Sequence, residues 1–264
     1  MTKPFVPFLA LAGLLACGAC AGPRRTVDPA DAEATPNDPA EPVNRTVFAG
    51  NQYLDRNVLR PVATAYHDNV PEPARNGIHN FVTNLTEPRI MVNDLLQGNV
   101  TRALNTAGRF VINSTIGGAG FFDVAHSSLG LPHHDADFGQ TLGVWGIGPG
   151  PVVELPLLGP SNLRDTIGRA LGFATNPLVF IPGAAMAGIS TAARPASALD
   201  DRERLLPATN ALEAGSLDYY AALRSANEQR RARLVEEGRA GLVQRREPVP
   251  SVEIEVISVP PARE

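Results

Sequence analysis

Apolar residues follow different rhythms along this chain. Pro4 to Ala16 is an unbroken run without charge behind Thr2 and Lys3, and it ends in Leu14-Leu15-Ala16-Cys17 with Gly18-Ala19-Cys20 just beyond. A run of roughly 12 residues is too short to span a bilayer, which needs about 20, and it matches the apolar region of an export signal. Further on the rhythm becomes helical. Val43, Val47, Phe48, Leu54 and Val58 recur at helix-like spacing, which predicts a helix over 43–59 that Pro61 should end. The same reading predicts helices at 74–85, 89–97, 100–113, 161–172 and 218–236, with Pro73 and Pro88 suited to helix starts and Ser161 to an N-cap. No run of alternating strands appears between them, so the expected class is mainly α.

Between residues 140 and 190 the pattern changes again. Glu154, Arg164, Asp165 and Arg169 are the only charges there, yet glycines and prolines cut the stretch into pieces too short to cross a bilayer. A soluble core and helices lying in the membrane plane both fit such pieces. An anchor at the N-terminus tilts the reading towards membrane contact.

That anchor follows from the cysteines. Small residues before a Cys, with an aliphatic residue three positions ahead, suit lipoprotein processing, so Cys17 is the expected lipidation site and Cys20 the alternative. An ordinary secretory cut near Ala19 or Ala21 is the competing reading. Each buried methylene of an acyl chain is worth about 0.8 kcal/mol, so two or three chains hold firmly where one is marginal. The segments then read as a signal peptide at 1–16, a lipidated tether rich in Pro, Asp, Ala and Thr at 17–40, a helical domain at 41–237, and a tail at 238–264. The tail reads as mostly disordered, with alternation only over 252–259.

The composition narrows the function. The 264 residues are 44% hydrophobic, enough for one large domain, and no cysteine remains beyond Cys17 and Cys20 to build a disulfide framework. A net charge of −4 without a basic stripe argues against nucleic acid as a partner. Lys3 is the sole lysine, which leaves Arg as the strong cation elsewhere, an excess that GC-rich codons explain better than selection for phosphate binding, although Arg suits phosphate.

Catalytic fragments are weak. Gly146-Ile147-Gly148-Pro149-Gly150-Pro151 lacks a strand–turn–helix frame and reads as a turn. His133, His134, Asp135 and Asp137 could hold a metal, but a solvated polar loop is the favoured reading. Asp137-Phe138-Gly139 stands without a kinase lysine, and no Gly-x-Ser-x-Gly elbow occurs. No enzyme, metal or cofactor is expected.

A collinear series of motifs carries a resemblance. It runs through Asp38-Pro39-Ala40-Glu41-Pro42-Val43-Asn44-Arg45, Val58-Leu59-Arg60-Pro61-Val62-Ala63, Val70-Pro71-Glu72-Pro73-Ala74-Arg75-Asn76-Gly77 and Phe81-Val82-Thr83-Asn84-Leu85 with Glu87-Pro88. It continues through Asn93-Asp94-Leu95-Leu96-Gln97-Gly98, Arg109-Phe110, Asn113-Ser114-Thr115, Gly117-Gly118, and Gly120-Phe121-Phe122-Asp123-Val124-Ala125. Asp137-Phe138-Gly139-Gln140-Thr141-Leu142-Gly143, Gly148-Pro149-Gly150-Pro151, Leu155-Pro156, Gly159-Pro160-Ser161 with Arg164-Asp165, and Ser216 with Asp218 and Tyr220 complete it. Over about residues 38–236 the chain resembles the MlaA, or VacJ, family of outer-membrane lipoproteins.

The resemblance implies a ring of short amphipathic helices lying in the outer membrane on its periplasmic side, around an amphipathic channel. Through that channel misplaced phospholipids would leave the outer leaflet for a soluble periplasmic carrier, and the ring would associate with a trimeric porin. A polar path spares the headgroup the cost of crossing hydrocarbon. By the same resemblance Asn44, Phe48 and Asn51 lie in a region that borders the channel, although Phe48-Ala49-Gly50-Asn51 lacks the second aromatic residue common in relatives. Gly117, Gly118, Gly120 and Phe121 match a flexible hairpin. Arg45, Arg60, Arg75, Arg109 and Arg164 are the cations for phosphate or for helix locking, with Arg45 and Arg109 the chosen phosphate contacts. The competing function is a structural lipoprotein that scaffolds a porin or envelope complex without moving lipid. A phospholipase is remote, for want of a nucleophile.

Overall fold

The computed structural model describes residues 37–174 and 184–241. The expected signal, both candidate lipidation cysteines, nearly all of the tether and the tail beyond Gly241 lie outside the described residues. What is described is mainly α, as the periodicity predicts.

The first helical stretch runs past its expected end. Helix α1 (Glu41–Leu54) passes through a π-helical turn (Asp55–Leu59) into α2 (Arg60–Asn69) without a break. Pro61 has no N–H to donate and its ring crowds the carbonyl four residues back. The π turn widens the ladder just ahead of it, with the Arg60 N–H bonding the carbonyl of Asp55, and so accommodates the proline. The stretch ends instead at Val70, held extended (φ −100°, ψ 121°) by the following Pro71.

The expected helices at 74–85 and 89–97 are one helix, α3 (Glu72–Leu96), with Pro73 in its first turn and Pro88 in its interior. Pro88 therefore begins nothing. Val82, Asn84, Glu87, Ile90, Asn93 and Asp94 are all buried along this helix, and that packing outweighs the hydrogen bond lost at the proline. Helix α4 (Val100–Thr115) follows and packs along α3.

Two short helices escaped the periodicity, and both are set by aspartate N-caps. Asp123 accepts from the His126 N–H ahead of α5 (Val124–Leu129), and Asp137 accepts from the Gln140 N–H ahead of α6 (Phe138–Val144). An antiparallel hairpin of β1 (Val152–Leu155) and β2 (Gly159–Asn162) then pairs Val152 with Asn162 and Leu155 with Gly159. Ser161 lies in that strand rather than at a helix cap; Asn162 caps α7 (Leu163–Ala174), its Oδ1 accepting from the Asp165 N–H at 2.9 Å.

Helix α8 (Ala184–Gly215) contains Pro195 and Pro207, and nothing in the sequence pattern announced its length. Ion pairs hold it to the first helices, including Arg202 with Asp55 and Arg60 with Glu213. Helix α9 (Tyr219–Ala240), capped by Asp218, continues past the expected end at residue 236 to Gly241, which takes the left-handed conformation (φ 64°). Helix α6 sits between α7 and α9. It meets α7 at Gly168, where an added Cβ would lie 2.2 Å from the Gly139 nitrogen, so only glycine permits the approach.

Candidate functional site

Helix α4 shows the organising feature of the described body. Val100, Leu104 and Val111 share one stripe, and Arg102, Thr106, Arg109 and Asn113 share the opposite one, since residues three, four and seven apart lie on one face. In a water-soluble protein the apolar stripe faces the core. Here it is reversed: Leu104 is 68% exposed, whereas Arg102 and Arg109 are 1% and 2% exposed.

The reversal extends beyond α4. The largest fully buried side chains are Arg102, Arg109, Gln140, Glu87 and Asn93, and the buried apolar set is modest, with Ala63, Ala103, Ala125 and Ala136 among it. Tyr53, Val58, Val62, Leu95, Ile116, Phe122, Trp145, Leu157, Ile167 and Phe173 are at the same time exposed. Apolar surface on this scale marks a site of contact with a membrane or another protein. No described helix is long and apolar enough to cross a membrane.

Buried charges survive only where they are paired and hydrogen-bonded, and the interior meets that demand with connected networks. Arg109 donates from Nε to Glu87 (2.8 Å), from one terminal nitrogen to Asp123 (3.0 Å) and from the other to the carbonyl of Leu131 (2.7 Å). Asn113 donates to the second oxygen of Asp123 and accepts from the Ala125 N–H, which ties α4 to α5. Asp94 on α3 receives Arg102 and Thr106 from α4. Arg231 on α9 grips Asp137 and Asp165 together, and Asp165 also receives Arg164. Thr141 donates to Asn93 and receives Gln97, while the Gln140 side chain donates to the carbonyl of Leu234.

The segment 133–137 is no solvated loop. His133 bonds Glu87 at 3.2 Å, His134 bonds Asp94 at 2.9 Å, and Asp137 pairs with Arg231. Burial opposes protonation of His133, but its hydrogen bonds to Asp135 and Glu87 outweigh that and push its pKa up to about 9. Burial likewise works against ionisation of Asp137, and Arg231 more than reverses it, holding that carboxyl below its usual range. Among the described residues no His, Cys, Asp and Glu cluster has the arrangement of a metal site.

The expected site residues fall into separate places. Asn44 bridges the segment before α1 and the hairpin: its Nδ2 donates to Asp38 (2.7 Å) and to the carbonyl of Val152 (3.2 Å), and its Oδ1 accepts from the Glu154 N–H (3.0 Å). Asn51 holds the hairpin's other end, donating to Glu154 and the carbonyl of Leu155 and accepting from the Leu157 N–H. Phe48 lies between them on α1, edge-on to Tyr219 and Tyr220 of α9. One face of α1 thus clamps a hairpin whose buried Glu154 has its pKa raised by burial, with one carboxyl oxygen lacking a hydrogen-bond partner.

The second group is the turn after α4. Gly118 and Gly120 adopt positive φ (59° and 97°), and a Cβ on Gly117 would strike the carbonyl oxygen of Phe122 at 2.3 Å. Phe121 stacks on Phe81 of α3 with centroids 5.0 Å apart. This turn therefore rests on α3, whereas Asn44, Phe48 and Asn51 face the hairpin and α9.

Of the two expected phosphate contacts, Arg45 is part-exposed, bonds Glu41 and Asp218 and stacks on the Tyr220 ring at 4.6 Å. Arg109 forms part of the wall of a cavity of about 170 Å³ that His79, Asn113, Asp123 and His133 also line. Arg60, Arg75 and Arg164 are each paired with carboxylates. Sequence reasoning missed Asp38, which receives Tyr220, Arg224 and Asn44 and so fastens the start of the chain's helical part to α9. Burial resists its charge, and those hydrogen bonds still lower its pKa. Its place in the first quoted motif was the available signal.

Comparison with known proteins bears on all of this. Residues 36–234 match the family model described as MlaA lipoprotein. An uncharacterized protein of Rickettsia felis is 36% identical over 190 residues, covering 72% of this chain and 74% of that protein. The Intermembrane phospholipid transport system lipoprotein MlaA of Escherichia coli (strain K12) is 45% identical over 135 residues, 49% of this chain and 53% of that protein. A solved structure described as "Structural basis for maintenance of bacterial outer membrane lipid asymmetry" superposes with a TM-score of 0.65 at 37% identity, covering 75% of this chain and 98% of the other.

Proposed function

The chain belongs to the MlaA lipoprotein family, and from that premise we propose that it removes misplaced phospholipids from the outer leaflet of the outer membrane and passes them to a periplasmic carrier. The observation that carries this reading is the reversed body, with paired charges inside and large apolar side chains outside. Such a body sits among acyl chains, where its apolar side chains lose nothing by exposure, and helices in the membrane plane need no span. Its polar interior offers headgroups a route that lipid hydrocarbon does not, while the tails stay against the apolar perimeter. No bond is made or broken in such a transfer, so no nucleophile or cofactor is required.

In this reading the protein is held on the periplasmic side of the outer membrane by a lipidated Cys17, or Cys20, and docks on a trimeric porin. The Asn44–Phe48–Asn51 face with its hairpin and the Gly117–Phe121 turn are the gating positions, because each couples a helix to a segment whose backbone can re-set. Arg45 and Arg109 meet phosphate by sharing the hydrogen bonds now made to Asp218, and to Glu87 and Asp123.

The test is the phospholipid content of the cell-surface leaflet in a strain lacking the gene, complemented with wild type or with Cys17→Ser. Phospholipid accumulates in the deletion and is cleared by wild type alone. A surface leaflet unchanged by the deletion refutes transport and leaves a scaffolding lipoprotein.

A further inference from the structure

A second cavity, of about 200 Å³, opens between α3, the loop ahead of α6, α7 and α9. Its wall carries Arg89, Arg169, Arg230 and Arg231 against the carboxylates of Asp135 and Asp137, which leaves positive charge in excess. Asp165, the other carboxylate on Arg231, is itself matched by Arg164.

The four arginines are not equivalent. Arg231 is fully committed to Asp137 and Asp165, and Arg230, at the exposed rim, reaches Asp135 at 3.1 Å. Arg89 and Arg169 form no ion pair with a carboxylate among the described residues. The Nε of Arg89 is buried and has no hydrogen-bond partner. Among the described residues, Arg169 donates to the carbonyl of Leu158 at 3.2 Å. Burial, and then the like charge of Arg231, lower its pKa, with Asp137 and Asp165 opposing and Arg230 adding a smaller push, yet an arginine keeps its proton under such pressure. A buried charged donor without an acceptor is costly, as are neighbouring like charges, and an arriving anion relieves both. Guanidinium forks match the paired oxygens of phosphate, and the cavity is smaller than the roughly 300–1,000 Å³ that holds a whole drug-sized ligand.

We propose that this cavity binds the phosphate group of a phosphate ester, with Arg89 and Arg169 as its two forks. The inference deepens the transport reading and rests on it for the source of the phosphate, a phospholipid headgroup; a soluble phosphate ester has the same chemistry.

The experiment uses the full lipidated chain in detergent micelles, titrated with phosphatidylglycerol, with diacylglycerol as the phosphate-free control, and separately with glycerol 3-phosphate. The variants are R89Q/R169Q, R89K/R169K and, as a control on an exposed arginine paired with Glu213, R56Q. Saturable binding of phosphatidylglycerol but not diacylglycerol is expected, weakened at least tenfold in R89Q/R169Q and unchanged in R56Q. Equal binding of glycerol 3-phosphate identifies a soluble ester as a ligand, and binding of the lipid alone identifies the headgroup; both support the site. Absence of saturable binding to either probe, or wild-type affinity in an R89Q/R169Q variant with unaltered helical circular dichroism, overturns it. Should that variant lose its helical signal, the lysine pair decides: a tenfold loss supports the forks and wild-type affinity overturns them. The surface-leaflet assay separates the two ideas, since wild-type clearance with undiminished binding in R89Q/R169Q removes the site and leaves transport standing. Arginine-dependent binding with no leaflet change in the deletion removes transport and leaves the site.

Discussion

Replacing Arg109 by Met keeps most of the side-chain volume and deletes the guanidinium that joins α4 to α3 and α5. The cost follows from what is left behind. Glu87 is 1% exposed and loses its 2.8 Å partner, whereas Asp123 is 26% exposed and can recover solvent. Removing one partner of a buried pair costs about 3–5 kcal/mol because a charge stays uncompensated. His133 remains 3.2 Å from Glu87 and supplies part of the compensation, so the low end, about 3 kcal/mol, is expected. For a domain of this size that lowers the midpoint by about 6–12 °C, at roughly 2–4 °C per kcal/mol. The assay is thermal unfolding in detergent micelles followed by circular dichroism, with the double variant Glu87→Met, Arg109→Met alongside. The double variant should recover most of the loss, because it removes both charges and leaves none stranded. A single-variant loss below about 1 kcal/mol, or a double variant worse than the sum of the two singles, refutes the view that these buried pairs hold the helices together.

Other consequences are as direct. His133, with its pKa pushed up to about 9 from 6.5, adds stability that is complete below pH 6.5 and fades as the pH climbs through 9. Midpoints measured from pH 6 to 9.5 should fall for wild type and stay flatter for His133→Asn, and equal slopes would contradict the assignment. Gly168→Ala drives a Cβ into the Gly139 backbone and should cost about 1–3 kcal/mol by forcing α6 from α7, whereas Gly50→Ala, with open space around it inside α1, should gain about 0.5–1 kcal/mol. Melts of the two variants check the contrast, and a neutral Gly168→Ala would rule out the close crossing.

Helical rhythm was enough to find α1, α4 and α7, because each carries apolar residues at regular spacing, whereas α9, also expected, is mostly polar and carries little of that rhythm. It could not say which stripe of α4 faces inwards. Val100, Leu104 and Val111 make the same pattern whether they fill a core or meet lipid, and only the partners found by Arg102 and Arg109 on α3 and α5 decide it. Prolines misled in the opposite sense: Pro61 and Pro88 sit inside helical stretches because a π-helical turn accommodates the first and packing along α3 outweighs the local loss at the second. His133, His134 and Asp137 looked like solvated loop residues, since the carboxylates and the arginine that hold them lie far away in sequence. The quoted motifs had flagged many of the polar residues whose side chains are now found buried, Asp38, Glu87, Asp94, Arg109 and Asp165 among them. Arg89 and Arg169 carried no such signal, because an arginine without a carboxylate is recognised only once its surroundings are folded.

Trp145 gives the most direct test of a body that wears its apolar side outwards. It is the single tryptophan of the chain, lies 56% exposed at the end of α6, and donates its indole N–H to the carbonyl of Leu96 beside the exposed Leu95 and Ile147. With the full chain in phospholipid bilayers, its fluorescence should be quenched by spin-labelled acyl chains and be nearly insensitive to aqueous iodide. Strong iodide quenching with no effect of the lipid label would place this face in water and contradict the account.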